Sequence, residues 1–482
     1  MRWLRALALV QSNPVSRVST PALQPWQLAG YGSGSMVLAA YYLVSASFLF
    51  YATAILHVPP DTAGLIMAAS TLWDALVDLP LGWMSDRTRS QRLGRRHPFL
   101  IIGGIAIAVL SVLLWSIPQG LDLWVKTTWL TVALVGLKTA ISTFVVPHTA
   151  MGGDLVTTYD ARTVAQGYRA TFQVLGMALA LVGSSAWFFR PTTGFPLGQL
   201  NPAVYAPMGW ACAILVLGVT LVTVTSTWRF IPRMRADRDI PRLDWHAIQD
   251  VLRDRNLRAL VLMILVTEVG VQLTVSLGFH INTFTYGLSG PQIAILAMAL
   301  LLSAIAAQPL WIRVSRRFDK KPALYAAIAL AAIGLVGAPL THVAWHWFPL
   351  EPSAHLVATL LPFQILAGLG NGAFWSLPYA MVTDCAHARE RTGGGNLTGT
   401  YTGLYIFAYK LGGSLSIAGS GALLGFIGYQ SSSSIQTAAT RYDLAVYPAL
   451  LMLLLLPVMV WLLHAYRLRR ADFMGSGSDT PR

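Results

Sequence analysis

Residues 62–84 read TAGLIMAASTLWDALVDLPLGWM, an apolar stretch long enough to cross ~30 Å of hydrocarbon as a helix. Two aspartates, Asp74 and Asp78, interrupt it four residues apart, so a helix places both carboxylates on one face near the middle of the membrane. An acid at that depth costs about 2.5 to 3.5 kcal/mol on insertion scales, so the pair implies a polar cavity, a bound cation or a protonated carboxyl group. The stretch therefore predicts a membrane protein in which ions take part in transport.

The apolar character of this stretch extends along the whole chain. Of the 482 residues, 55% are hydrophobic and 11% are charged, against roughly 25% charged residues in ordinary soluble proteins. Twelve segments, the quoted one included, are long and apolar enough to cross a membrane: 27–56, 62–84, 98–118, 124–152, 164–189, 205–230, 257–287, 290–314, 322–345, 354–384, 396–428 and 443–466. The sequence therefore predicts an all-α membrane protein with twelve transmembrane helices.

The basic residues are grouped in short segments between the apolar ones. The formal net charge of +14 would suit a nucleic-acid-binding protein, but here its distribution follows membrane topology. With both termini in the cytoplasm, Lys126, Arg190 and Arg441 fall on the outer side, Lys138 and Lys410 fall within helices, and the other basic residues are cytoplasmic. We therefore expect cytoplasmic termini, a surface in contact with the lipid bilayer, and no bound nucleic acid.

Cysteine content and sequence motifs limit the chemistry further. Cys212 lies in an apolar segment and Cys385 at a helix end, so neither a disulfide framework nor a cysteine metal site is predicted. The chain contains no phosphate-binding loop, metal-ligand cluster or nucleophile motif. We therefore expect no enzymatic activity, no metal site, and no cofactor apart from a coupling ion, H⁺ or Na⁺.

The two halves of the chain repeat each other at their cytoplasmic loops. Residues 85–98 read SDRTRSQRLGRRHP, and residues 315–322, six predicted helices later, read SRRFDKKP. An aspartate and an arginine follow predicted helices four and ten: Asp154 with Arg162, and Asp384 with Arg391. This pattern predicts two six-helix bundles that rock about a central site. We expect bundles at 26–231 and 257–468, a cytoplasmic linker at 232–256, and cytoplasmic tails at 1–25 and 469–482.

Several short motifs carry a family resemblance. Residues 73–83 (WDALVDLPLGW), followed by SDRTRS at 85–90 and GRR at 94–96, resemble the glycoside–pentoside–hexuronide:cation symporters of the major facilitator superfamily, of which the melibiose permeases are the best known. Phe374-Trp375 and KLGG at 410–413 match the same family, and the resemblance spans nearly the whole chain. It implies the major facilitator fold and cation-coupled symport.

The resemblance also implies roles for individual residues. Asp74 and Asp78 would form the cation site, Lys410 would support coupling, and Trp375 would border the sugar. Thr139 stands where the melibiose-permease pattern has an aspartate that contacts both sugar and cation, and Thr143 stands where it has a tryptophan. We keep Thr139 as a candidate for the cation site and Thr143 for the substrate site, but these departures argue against melibiose itself.

Two intramembrane lysines each allow two interpretations. Lys138 either reaches Asp74 or Asp78 and takes the place of a metal cation, which favours proton coupling or facilitated diffusion, or it faces the cavity mouth or snorkels to the interface. Lys410 either pairs with the helix-two acids across the two bundles, so that ion binding releases it, or forms a purely structural ion pair.

Polar and aromatic side chains in apolar helices are candidates for the substrate site because such groups tend to face the interior. Trp375, with Asn371 one turn earlier, offers a ring for sugar C–H faces and an amide for hydroxyl groups, unless the tryptophan is part of the core. Glu268, one turn before Gln272, either binds a polyol, carries a proton, or is a buried structural acid. The remaining candidates rest on polarity alone: Tyr41, Tyr42, Gln173 and Tyr405.

The charged cytoplasmic loop predicts a gate. Ion pairs between the end of helix two and neighbouring helix ends can lock the inner side closed, and Gly94 permits the turn between them. Anchoring by positive charge alone would explain the arginines but not the acid among them. The predicted gate residues are Asp86, Arg87, Arg89, Gly94, Arg95 and Arg96, extended by Asp154, Arg162, Asp384 and Arg391.

These observations favour a secondary active transporter. Three hypotheses about its function remain open. The first is symport of a glycoside, sugar or related polyol with a cation, H⁺ favoured over Na⁺, by a monomer in the inner membrane of a bacterium. The second is cation-coupled symport of an amphipathic cargo such as a lysolipid, and the third is a membrane sensor that transports nothing. A cavity lined by Trp, Asn, Gln and Tyr would favour the first, and one lined by Leu, Phe and Met the second.

Overall fold

The structure is a computed structural model that describes residues 24–88, 90–156, 159–235, 249, 251–347, 356–391, 397–470 and 472. Long helices, here α1 to α12, make up most of these residues. Their bounds are α1 Pro25–Ile55, α2 Pro60–Arg87, α3 His97–Trp115, α4 Leu123–Leu155, α5 Tyr159–Ala178 with a π-helical continuation Leu179–Phe188, α6 Tyr205–Thr227, α7 Arg255–Thr285, α8 Gly290–Phe318, α9 Lys320–Trp347, α10 Leu356–Arg391, α11 Thr398–Phe426 and α12 Ala438–Ala465.

Eleven of these helices are both long and apolar enough to cross a membrane, counted over the described residues. The twelfth is α11, whose 29 residues are long enough to span but include Lys410 and many Gly, Ser and Thr residues. It packs against both α2 and α7, so much of its surface meets protein rather than lipid. The predicted all-helical fold with twelve transmembrane helices is confirmed, and the chain is a multi-pass membrane protein.

The helix packing repeats with an offset of six helices. Within the first half α3 packs on α4 and α1 on α5, and within the second half α9 packs on α10 and α7 on α11. The two bundles meet along a seam formed by α1 with α7, α2 with α11, and α5 with α8. This arrangement agrees with the predicted repeat of six-helix units. The exact bundle boundaries remain a prediction, and residues 1–23 and most of the linker lie outside the described residues.

The outer part of the seam is tightly closed. The Ser414 hydroxyl donates to the Ala68 carbonyl at 2.8 Å, and the Ser431 hydroxyl donates to the Val58 carbonyl at 3.0 Å. Between α2 and α11, Gly64 and Gly421 lie so close that a Cβ on Gly64 would be 2.8 Å from the Cα of Gly421. Glycine is therefore required at this crossing, and α2 and α11 are in direct contact at their outer parts.

Candidate functional site

The acid pair of α2 is bound by a lysine from the other bundle. Asp74 and Asp78 lie one helical turn apart, and the Lys410 ammonium of α11 donates to Asp74 Oδ2 at 2.8 Å and to Asp78 Oδ2 at 2.5 Å. Lys410 therefore makes the contact across the two bundles that the sequence suggested. Its role in coupling stays a prediction.

The two aspartates have different surroundings. Asp74 is buried, and its other oxygen, Oδ1, accepts a hydrogen bond from the Ser142 hydroxyl of α4 at 2.6 Å. The Asp78 side chain is 29% exposed. Asp78 is therefore the more accessible of the two acids. Sequence reasoning missed Ser142, although it lies one turn after Lys138 on the same helix and shares its face.

Lys138 makes neither of the contacts considered from the sequence. Its Nζ lies 4.0 Å from the centroid of the Tyr41 ring, and no carboxylate of the described residues lies within 4.0 Å of it. The side chain is only 2% exposed, so the expectation that it snorkels or faces the cavity mouth is wrong. The face of an aromatic ring attracts an ammonium group, which allows the lysine to stay buried without an ion pair.

The hydroxyl groups of Thr139 and Thr143 form their hydrogen bonds with groups other than Asp74 and Asp78. The Thr139 hydroxyl accepts a hydrogen bond from Trp73 Nε1 at 2.9 Å and donates to the Val135 carbonyl at 2.8 Å. The Thr143 hydroxyl donates to the Thr139 carbonyl at 2.7 Å. The position that carries an aspartate in the melibiose-permease pattern thus fixes a tryptophan ring here, and a direct role of Thr139 in cation binding stays a prediction.

The substrate candidates form contacts in both bundles. Gln173 of α5 donates from Nε2 to the Tyr42 hydroxyl of α1 at 2.9 Å, and the Tyr41 and Tyr42 rings meet edge to face. In the other bundle Tyr405 meets the ring of Tyr379 edge to face, a residue that sequence reasoning missed. Tyr379 follows Trp375 by one helical turn, and that spacing was the available signal.

The other candidates of the second bundle lie on α7 and α10. Trp375 is substantially exposed at a turn that interrupts α10, one turn after Asn371, so it is not a core residue. Gln272 of α7 lies beside Gly413 of α11. Glu268, one turn before Gln272, is buried. Whether these groups contact a substrate stays a prediction.

The predicted gate residues of the first bundle form a buried ion-pair network. Arg95 donates from Nη2 to Asp154 Oδ1 at 2.6 Å, and Arg96 contacts both Asp154, at 3.2 Å, and Asp86, at 2.5 Å. Gly94 has a φ of +65°, as the predicted turn requires. These contacts join α2, α3 and α4 within one bundle, and they do not cross the seam.

The remaining gate residues have other surroundings. The guanidinium of Arg87 lies 4.0 Å from the Trp83 ring centroid. Asp384 accepts a hydrogen bond from the Lys320 ammonium at 2.6 Å. Sequence reasoning missed this partner. The available signal was the repeat, because Lys320 stands at the start of α9, and Arg95 and Arg96 stand just before the equivalent helix α3. Arg391 donates to the Asp472 carbonyl at 3.4 Å. Arg89 lies outside the described residues, as does the side chain of Arg162.

Comparison with known proteins places this geometry in context. A family model described as MFS/sugar transport protein matches residues 29–470. The sodium-dependent lysophosphatidylcholine symporter 1 of Xenopus tropicalis is 25% identical over 441 residues, which cover 83% of this chain and 79% of that protein. The inner membrane symporter YicJ of Escherichia coli strain K12 is 23% identical over 423 residues, covering 85% of each chain.

Solved structures share the fold at low sequence identity. The nucleoside transporter NupG has a TM-score of 0.64 and 12% identity, over 92% of this chain and 98% of that one. A bacterial homologue of the human lysosomal transporter Spinster, in an inward-facing and unoccupied conformation, has a TM-score of 0.64 and 14% identity, over 93% of this chain and 98% of that one. Both bear on the fold alone.

Proposed function

Because the chain belongs to the MFS/sugar transport protein family of the major facilitator superfamily, we propose that it is a cation-coupled symporter that imports an organic substrate by alternating access. The observation that carries this proposal is the Lys410 ammonium, which binds Asp74 and Asp78 across the seam. Opening the outer side must separate α2 from α11, and a cation that neutralises an acid weakens the lysine contact. Ion binding and opening are therefore linked through one set of atoms.

We propose H⁺ rather than Na⁺ as the coupling ion. The ammonium of Lys410 already lies between the two carboxylates, so a sodium ion would have to displace it. A proton needs no shell of oxygen ligands and can neutralise Asp78 while Lys410 stays on Asp74. Some relatives are named sodium-dependent, so the coupling ion is a property to be measured and not transferred.

For the substrate we propose a glycoside, sugar or related polyol. The pairs Tyr42 with Gln173 and Tyr379 with Tyr405, together with the exposed Trp375, supply rings for C–H faces and polar groups for hydroxyls. This set supports a polar cargo more than an apolar one.

A second candidate cargo is an amphipathic molecule such as a lysolipid. Relatives named as lysophosphatidylcholine symporters fit this alternative. In either case we propose a monomer in the inner membrane of a bacterium, as the YicJ name indicates for that relative, with neither enzymatic activity nor nucleic-acid binding.

Transport in proteoliposomes tests the proposal. A thermal-shift screen first identifies cargo, since a ligand at 100 times its dissociation constant adds roughly 2.7 kcal/mol of stability. The panel contains sugars, β-glycosides and lysophosphatidylcholine. Uptake of the best ligand is then followed under an imposed H⁺ or Na⁺ gradient.

The expected result is accumulation driven by the proton gradient in the wild type and its loss in Asp74→Asn and Asp78→Asn. Asp122→Asn serves as the control, because Asp122 is an exposed acid at the outer start of α4. Full accumulation in both helix-two variants would overturn the proposed coupling. A lysolipid as the accumulated ligand would select the second cargo.

A further inference from the structure

Glu268 is a buried acid that the proposed ion-pair cluster does not use. It lies on α7 and is 6% exposed. Its backbone is packed tightly on α11, since a Cβ added to Gly412 would lie 2.9 Å from the Glu268 Cβ. The carboxyl group is therefore held in the core of the second bundle, beside the seam.

The carboxyl group of Glu268 has no hydrogen-bond partner among the described residues. Its Oε2 atom is fully buried and unpartnered, and no lysine, arginine or histidine of the described residues lies within 4.0 Å. An ionised carboxylate in that environment would lack both solvation and a counter-charge, which is strongly unfavourable. A proton on the group removes the charge and most of this cost.

The groups that face Glu268 from the neighbouring helices are aromatic. Four helices pack on α7: α1, α10, α11 and α12. Tyr41 of α1 and both Tyr405 and Tyr409 of α11 lie within electrostatic range of Glu268. The ring of Tyr379 of α10 meets that of Tyr405 edge to face, and α12 places Met452 against Gly270. Phenol groups stay neutral at physiological pH, so none of these side chains supplies a compensating charge.

The charge balance of the membrane core leads to the same residue. Asp74, Asp78, Lys138 and Lys410 lie within electrostatic range of one another, and Tyr41 connects this group to Glu268. Tyr41 lies between them, because its ring carries the Lys138 ammonium and its hydroxyl is within range of both Asp74 and Glu268. Three carboxylates face two ammonium groups, so a single proton makes the cluster neutral. Lys410 binds Asp74 and Asp78, and Lys138 lies within electrostatic range of both, so the two lysines balance the two aspartates and Glu268 is left as the acid without compensation.

We propose that Glu268 is a second proton-binding site, separate from the Asp74–Asp78–Lys410 cluster, and that its protonation state controls how α7 packs on its neighbours. This inference rests on the proposed symport. Water supplies the proton to the Glu268 carboxylate and accepts it again from the carboxylic acid. The protonated group permits dry packing of α7 on α1 and α11, whereas the ionised group requires water in the cavity. The ion pair at the seam then serves as the contact that opens and closes.

Infrared spectroscopy of the purified protein in lipid nanodiscs tests this site without a substrate. The wild type at neutral pH should show the carbonyl-stretch band of a protonated carboxylic acid, and the band should disappear as the pH is raised. Glu268→Gln should lack that band, Glu268→Asp should shift it, and Asp122→Asn should keep it unchanged. Identical spectra of the wild type and Glu268→Gln over the whole pH range would overturn the proposal.

Folding of the variants and the proposed symport are controlled separately. Size-exclusion elution reports the fold of each variant, and Glu268→Asp retains a carboxyl group should the glutamine variant not fold; an unshifted band in a folded Glu268→Asp counts against the proposal. Failure of the proposed symport would appear as lack of gradient-driven accumulation by the wild type, with the band still present. Failure of this inference would appear as the same carbonyl-stretch band in the wild type and in Glu268→Gln, while the wild type accumulates substrate under an ion gradient.

Discussion

Contacts inside each bundle differ in kind from contacts across the seam. Inside a bundle, ion pairs tie the start of one helix to the end of the next: Arg95 with Asp154 between α3 and α4, and Lys320 with Asp384 between α9 and α10. Across the seam, hydrogen bonds such as Ser414 to Ala68, a close glycine crossing and the ion pairs of Lys410 hold the bundles together. Alternating access must break the contacts across the seam and keep those inside each bundle. Substitutions inside a bundle should therefore lower stability, and substitutions at the seam should shift conformation.

The two bundles also differ from one another at the same position of the repeat. In the first, Asp154 binds both Arg95 and Arg96, and its side chain is 3% exposed. In the second, the side chains of Lys320 and Asp384 are 32% and 24% exposed. Burial removes water that would otherwise replace a lost partner, so the first network should matter far more for stability than the second.

The largest effect is expected from Asp154→Asn. The change leaves Arg95 and Arg96, both buried, without the carboxylate that they share. Breaking a buried ion pair by removal of one partner costs about 3 to 5 kcal/mol. We expect a loss of that size in the free energy of unfolding, measured by denaturant titration in detergent.

Asp86→Asn is the matched control for this prediction. Asp86 binds the same Arg96, but its side chain is far more exposed, so its loss should cost much less. Equal losses for the two variants would contradict the view that burial decides the strength of the network.

A seam substitution, Gly421→Val, should have an intermediate effect and a different readout. A Cβ at this position would lie 2.5 Å from the Pro60 carbonyl oxygen and 2.8 Å from the Gly64 Cα, so α2 and α11 must separate. Overpacking of this kind costs about 1 to 3 kcal/mol, here in the outward-closed state only. We expect greater labelling of an outer seam cysteine, Ser431→Cys, by a membrane-impermeant maleimide.

The control for the seam substitution lies two residues away on the same helix. A Cβ at Gly419 would meet nothing within 4 Å, so Gly419→Val should leave the labelling of Ser431→Cys unchanged. If Gly421→Val also left labelling unchanged while the protein folded, the glycine crossing would not be what keeps the outer side closed.

Sequence periodicity was sufficient for the helices, whereas the contact of Lys410 with the acid pair was expected from the family resemblance, with Lys138 as the other candidate. Apolar length defines a spanning helix, and two acids at a spacing of four demand a cation, of which the membrane core offers few. The repeat of loop motifs likewise predicted the two bundles, and the offset of six in helix packing agrees with it.

The sequence did not predict three of the contacts between side chains on neighbouring helices. Spacing along one helix defines which residues share a face, but not which helix that face meets or which rotamer its side chains adopt. The bond from Ser142 to Asp74, the position of Lys138 over Tyr41, and the pair of Lys320 with Asp384 all depend on that packing. Helix α11 is less apolar than the other spanning helices of the described residues, because much of its surface packs against α2 and α7.

The smallest effect is expected from Asp384→Asn, the repeat counterpart of Asp154→Asn. Water reaches both Lys320 and Asp384, so it can replace the partner that either group loses. Exposed ion pairs contribute about 0 to 1 kcal/mol, and salt weakens them further, so unfolding should change by no more than that and by still less at high ionic strength. The same denaturant titration in low and high salt measures it, with Lys320→Gln as the reciprocal variant. A loss of stability as large as that of Asp154→Asn would show that the ion pairs inside the two bundles are equally strong. Exposure of an ion pair would then not determine its strength.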